Sequence, residues 1–270
     1  RRQRQMCIRD SYMQARSGFD SNFTSYDYMA IVGQSLGLIY GYEFDGIYQY
    51  SDFYSVPGSS TLVLKEGVTS NPSLGNRLAP GAVKYKDQDG DGVITTKDRT
   101  VIGNALPKWY GGITNTFNYK GIDFSFMLQF NYGNDIYNAT RLYATQTNTQ
   151  RRNQLAEVAD RWSPTNASNK VPSYNGYVVN DVYSRFVEDG SFLRLKNITL
   201  GYTLPHKWTR SFHASKLRIY ATGQNLFCLN NYSGYDPEVS TASKSPMTPG
   251  LDWGAYPKSR VFTFGIDLQF

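Results

Sequence analysis

The residues with the clearest chemical potential are Asp87, Asp89, Asp91 and Asp98. They stand in the run Asp87-Gln88-Asp89-Gly90-Asp91-Gly92-Val93-Ile94-Thr95-Thr96-Lys97-Asp98. Carboxylates fall at the first, third, fifth and twelfth positions, with glycine at the sixth and an apolar residue at the eighth. Ca2+ takes roughly six to eight oxygen ligands at about 2.3–2.6 Å, and the glycine permits the sharp turn between them. On this pattern Asp87, Asp89, Asp91 and Asp98 give side-chain oxygens, Val93 gives its backbone carbonyl, and Thr95 ligates through a water. Asp98 replaces the usual Glu and reaches one methylene less far. The spacing predicts one structural Ca2+; the alternative is a solvated Asp/Gly turn. Segments 82–86 and 99–103 do not read as the flanking helices of an EF-hand.

Little else in the chain suggests chemistry. His206 and His213 both lie in a polar turn, and Cys7 and Cys228 are the only cysteines. No nucleophile, base and orienting group assemble without guesswork, so no enzyme and no catalytic residue are expected. Gly90-Asp91-Gly92 sits among carboxylates, where a phosphate would be repelled. The 28 Lys and Arg exceed the 22 Asp and Glu by six, with no basic stripe of the kind a nucleic-acid face needs.

The elements that carry these residues alternate with period two. Ile122, Phe124, Phe126, Leu128, Phe130 and Tyr132 alternate with Asp123, Ser125, Met127, Gln129 and Asn131. Phe262, Phe264, Ile266, Leu268 and Phe270 repeat the pattern, as do Ile198 to Leu204 and Leu217 to Ala221. Such alternation marks strands with one apolar face. About six are expected, near 36–50, 108–119, 121–133, 192–204, 216–228 and 260–270. Several run to bilayer-spanning length, roughly 9–11 residues, where soluble strands average about five or six. No apolar run is long enough for a membrane-spanning helix. Mean hydropathy is −0.49, polar on average, but aromatics make up 15% of the chain, which argues against disorder.

The connections separate by length. Tyr119-Lys120-Gly121 and 205–215 are short; 51–107, 134–191 and 229–259 are long. Outer-membrane barrels have short periplasmic turns and long outer loops. The stretch 134–162 is helix-compatible and reads as part of one such loop. The terminal aromatic Phe270 suits a barrel's last strand. The fold expected is therefore all-β: C-terminal strands of a large antiparallel transmembrane β-barrel. Six strands do not close a bacterial barrel, and open edges are not tolerated in lipid, so the rest of the wall is expected elsewhere. Residues 30–270 form this barrel segment and 1–29 are poorly defined. Residues 1–11 lack the apolar core of a signal peptide and resemble translated adapter sequence. A secreted, calcium-stabilised β-sandwich that binds carbohydrate is the competing reading; it requires the apolar face to be covered by a second sheet.

Several blocks resemble the SusC/RagA family of TonB-dependent outer-membrane transporters. They are Pro80 to Tyr85 leading into the acidic run, then Val101-Ile102-Gly103-Asn104; Tyr119 to Asp123 with Asn131 to Asn138; Phe192 to Pro205; Ala221 to Phe227; and Gly234-Tyr235-Asp236-Pro237-Glu238. Their order and spacing cover about residues 30–270. The resemblance implies a 22-stranded barrel plugged by an N-terminal domain and paired with a SusD-like surface lipoprotein. It implies import of glycan or peptide fragments with energy passed through TonB, and it maps family calcium loops onto Asp87, Asp89, Asp91 and Asp98. It assigns no substrate-binding residues. Counting turns back from Phe270 places the acidic loop on the outer surface.

Overall fold

Five long antiparallel strands carry the alternation. They are β1 (Trp109–Tyr119), β2 (Ile122–Tyr132), β3 (Phe192–Thr203), β4 (Lys216–Asn230) and β5 (Val261–Gln269), in the spatial order β5-β4-β3-β2-β1. Their lengths are 11, 11, 12, 15 and 9 residues. The computed structural model describes residues 13–15, 27–58, 61–146, 153–178, 181–210, 213–239 and 248–270. Residues 1–11, the expected foreign stretch, lie outside them. The described chain divides into two compact units. One holds the five strands (107–134, 189–238 and 255–270); the other holds 1–106, 135–188 and 239–254.

Register decides the faces of the five-stranded sheet. Phe117 stands opposite Phe124, Phe124 opposite Leu200, Leu200 opposite Ala221, and Ala221 opposite Phe264. The adjacent row on that face runs Tyr119, Ile122, Tyr202, Ile219 and Ile266. A bulge at Lys196 shifts the alternation of β3 by one residue, which brings Leu193 and Leu195 onto the apolar face and turns Arg194 to the polar one. Ile113, Leu128, Leu195 and Phe227 therefore share one row. The opposite face reads Thr116, Ser125, Thr199, Thr222 and Thr263. The Thr199 and Thr222 hydroxyls lie 3.0 Å apart. One face is thus an apolar ladder interrupted by Asn115 opposite Phe126, and the other is mostly polar.

The apolar ladder is not buried. Phe264 is 81% exposed, Ile266 68% and Phe117 56%. A secreted sandwich would cover these side chains with a second sheet. The short links are Lys120-Gly121, whose backbone is left-handed at both residues, and the segment 204–215. The other end of the sheet emits the long connections between β2 and β3 and between β4 and β5.

The second unit is built differently. Its core gathers Tyr28, Ile39, Tyr42, Tyr48, Leu74, Val83, Tyr85, Tyr137, Tyr183 and Phe186, all buried. Tyr42 stacks on Tyr85 with ring centres 4.8 Å apart, and Tyr85 lies 5.4 Å from Tyr183. The stretch 36–50, expected as one barrel strand, belongs here as two short strands. Leu38–Tyr42 pairs with Tyr28–Ala30 and Arg99–Asn104, and Phe44–Ile47 pairs with Val83–Tyr85. The reason is burial on both faces: Leu38, Ile39, Gly41 and Tyr42 are all buried, so the segment has no lipid-exposed side. The stretch 134–162 likewise breaks into strand Asp135–Asn138, helix Ala139–Thr145 and a 3₁₀ turn at Ala156–Asp160.

Candidate functional site

The acidic run leaves strand Val83–Tyr85 and ends in the 3₁₀ turn Thr96–Asp98. Its glycines have the left-handed backbone that a tight loop demands, with φ of 76° at Gly90 and 80° at Gly92. Asp87 accepts the Gly90 amide at 2.7 Å and the Gly92 amide at 2.8 Å. Asp89 accepts from the Asp91 amide at 3.3 Å, and Asp91 from the Val93 amide at 2.8 Å. These bonds curl the chain until one carboxylate oxygen from each of Asp87, Asp89 and Asp91 lies within 4.8 Å of the other two. Ser70 pins the far side, accepting from the Ile94 amide at 2.7 Å and donating its own amide to the Gly92 carbonyl at 2.9 Å. Glu43 holds the entry. It accepts from the Gln88 side chain at 3.0 Å and from Lys86 at 3.2 Å, which keeps its carboxyl below the usual range.

Asp98 is not one of the three mutually close carboxylates, but it adjoins them through Asp87 and the Asp89 amide. It is buried, one oxygen accepts the Gln88 amide at 2.8 Å, and the other accepts the Thr95 amide at 2.7 Å. Burial pushes its pKa up, but the amides of Thr95, Gln88 and Asp89 outweigh that, and the net shift is downward. Thr95 caps the same turn, accepting from the Lys97 amide at 3.2 Å. Asp98 therefore acts first as a turn anchor. Val93 is partly exposed at the loop edge, with its amide committed to Asp91. Fit to a cation is good for the triplet: the donors are all hard carboxylate oxygens, and each carboxylate has lone pairs beyond those given to the amides.

Two charged clusters on the polar face of the sheet escaped the sequence reading. Arg218 on β4 reaches over Gly201 on β3 to Asp123 on β2, with contacts of 2.6 and 2.9 Å, and also holds Asp267 on β5 at 3.1 Å. A Cβ at Gly201 would sit 2.5 Å from the Asp123 oxygens, so the glycine leaves the gap this bridge crosses. Arg194 on β3 is 4% exposed and pairs with Asp236 and, at 3.6 Å, with Glu238. Lys258 also pairs with Glu238, so the segments after β4 and before β5 are tied together on that face. Alternation puts Asp123, Arg218 and Asp267 on polar faces, and register brings these three together; Arg194 reaches the polar face only through the bulge at Lys196, and its partners Asp236 and Glu238 lie in the loop after β4.

Comparison with known proteins gives one consistent result. The chain is 34% identical over 242 residues to TonB-dependent receptor P3 of Formosa agariphila, covering 88% of this chain and 22% of that receptor. It is 30% identical over 187 residues to TonB-dependent receptor SusC of Bacteroides thetaiotaomicron, covering 69% of this chain and 17% of SusC. The fold matches the structure of the RagAB peptide transporter with a TM-score of 0.65 at 20% identity, over 93% of this chain and 24% of that one. No family model matches. The chain thus spans less than a quarter of the length of these curated relatives.

Proposed function

Because the chain belongs to the SusC/RagA family of TonB-dependent outer-membrane receptors, we propose that the protein of which it forms a wall segment imports glycan or peptide fragments. Its place is the outer membrane, and its family are transporters, not enzymes. The observation that carries the import reading is the five-stranded sheet itself. Its strands have spanning length, one face is an exposed apolar ladder and the other is lined with threonine, serine and ion pairs. That is a wall with lipid on one side and a polar passage on the other.

The remaining roles follow the family. Energy arrives through TonB acting on parts of the protein beyond this segment, and a SusD-like lipoprotein covers the end from which the long loops leave. The RagAB structure, by its own description a peptide transporter, favours oligomeric cargo. Asp87, Asp89 and Asp91 hold one Ca2+ that staples a long outer loop, with Asp98 bracing the turn beneath and the Val93 carbonyl available as a further ligand. In-frame deletion of the full-length gene, with growth scored on defined oligosaccharides and peptides in TonB-competent and TonB-deficient cells, tests the import reading. Loss of growth on one cargo class only when the gene or TonB is absent is the expected result. Unchanged growth on every oligomer would overturn it.

A further inference from the structure

We propose that the corner between Tyr143 and Trp253 is a cargo subsite that binds a neutral pyranose ring. The proposal rests on the import reading above. Helix α1 (Ala139–Thr145) places Thr140, Tyr143 and Ala144 on one side, at the spacing of successive turns. The Thr140 hydroxyl accepts the Gly254 amide at 2.7 Å and donates to the Asp252 carbonyl at 3.2 Å. Leu251 and Asp252 run parallel to Tyr137 and Asn138, so the 252–254 turn is fixed against the helix from both sides. This aims the Trp253 ring at Tyr143, with centres 4.9 Å apart and planes at 87°. Gly254 has φ of 68°, and nothing lies within 4 Å of where a Cβ would stand, which leaves the mouth open.

The resulting cavity is about 460 Å3, lined by Thr140, Tyr143, Ala144, Asn153, Trp253 and Gly254. That is within the range of small-molecule pockets, about 300–1,000 Å3. Its lining decides the ligand. None of the described lining residues is charged, so a charged group entering it would lose water without a partner among them. The two aromatic faces meet at a right angle and offer flat apolar surface held in place by the backbone bonds just described. The Asn153 amide carries both donors and an acceptor, the combination that two neighbouring hydroxyls need. A pyranose meets all three conditions, with a C–H face for stacking, hydroxyls at its edge and no net charge. The free termini of a short peptide meet none of them.

The experiment uses the full-length transporter purified in detergent. Binding of neutral gluco-, xylo- and manno-oligosaccharides and of end-capped neutral tripeptides is followed by calorimetry for the wild type, Tyr143→Ala, Trp253→Ala and Trp253→Phe. The wild type is expected to bind at least one oligosaccharide, and each alanine variant to bind it roughly tenfold more weakly, the loss of about one stacking contact. Trp253→Phe is expected to keep most of the affinity. Heat-modifiable migration on gels reports whether each barrel is folded, and Tyr143→Ala decides the matter if Trp253→Ala does not fold. Unaltered oligosaccharide affinity in folded variants overturns the subsite, and so does a wild type that binds only the tripeptides or nothing in the panel. In these cases the import reading stands or falls separately, on TonB-dependent growth.

Discussion

At the scale of single residues, Gly41 shows how tightly the aromatic unit is packed. A Cβ there would lie 2.3 Å from the Val182 carbonyl oxygen, which already accepts the Tyr42 amide at 2.9 Å. Backbone cannot swing aside as a side chain can, so Gly41→Ala is expected to cost about 1–3 kcal/mol. A melting curve of the intact protein measures this, and an unchanged midpoint would contradict the contact. Asp181 offers a pH test in the same unit. Burial raises its pKa to about 6, against the opposing pull of the Tyr85 hydroxyl at 3.2 Å and of the Arg99 and Arg77 charges. The folded form thus binds this proton more tightly than the unfolded chain does. Its contribution is full below the ordinary aspartate value near 3.9 and is lost as pH rises through about 6. Asp181→Asn is expected to flatten stability across that window and to raise it at neutral pH. A variant with the wild-type pH slope would contradict the assignment.

At the scale of elements, the faces of β2 make opposite predictions. Phe126→Arg or Leu128→Arg puts a charge on the apolar ladder and is expected to cost about 2–4 kcal/mol near the midplane. Gln129 was the obvious polar-face control from the sequence. The register instead sets it opposite Arg194, where a second arginine would add repulsion. Ser125, between Thr116 and Thr199, is the cleaner site, and Ser125→Arg is expected to cost far less. Refolding of the full-length barrel in lipid, titrated with urea, compares them; equal losses would contradict the faces. For the acidic loop, Asp89→Asn removes one of the three converging charges and is expected to weaken Ca2+ binding by at least tenfold. Asp98→Asn is expected to disorder the turn first, because it acts through the Gln88 and Thr95 amides. Calorimetry on the intact protein with Ca2+ measures both, and a wild type that takes up no ion would end the calcium proposal.

These elements also show what a sequence can reveal. The five strands lie within about two residues of their expected bounds, because period-two alternation is written in neighbouring residues. The segment 36–50 misled for the converse reason: glycine and aromatics suggested a strand, but burial on both faces depends on partners such as Arg99–Asn104 that are distant in sequence. The acidic triplet was legible because its carboxylates lie within five residues of one another. The Arg218 and Arg194 bridges were not, since one joins strands through register and the other joins a bulged strand to a loop residue, each across tens of positions.

At the scale of the whole molecule, the five-stranded sheet is barrel wall. Among the described residues β1 and β5 are its edges, and each presents an unpaired ladder that a bilayer does not tolerate. In the full-length protein both are therefore expected to pair with further strands. The most direct test labels single cysteines with a nitroxide along β2 of the full-length protein in lipid, after replacing Cys228. Collision rates with oxygen, which concentrates in the bilayer, are compared with those of a water-soluble nickel complex. A period of two is expected, with high oxygen access at positions 124, 126 and 128 and low access at 125, 127 and 129. Uniform access along the strand, or an oxygen maximum at 125 and 127, would contradict it.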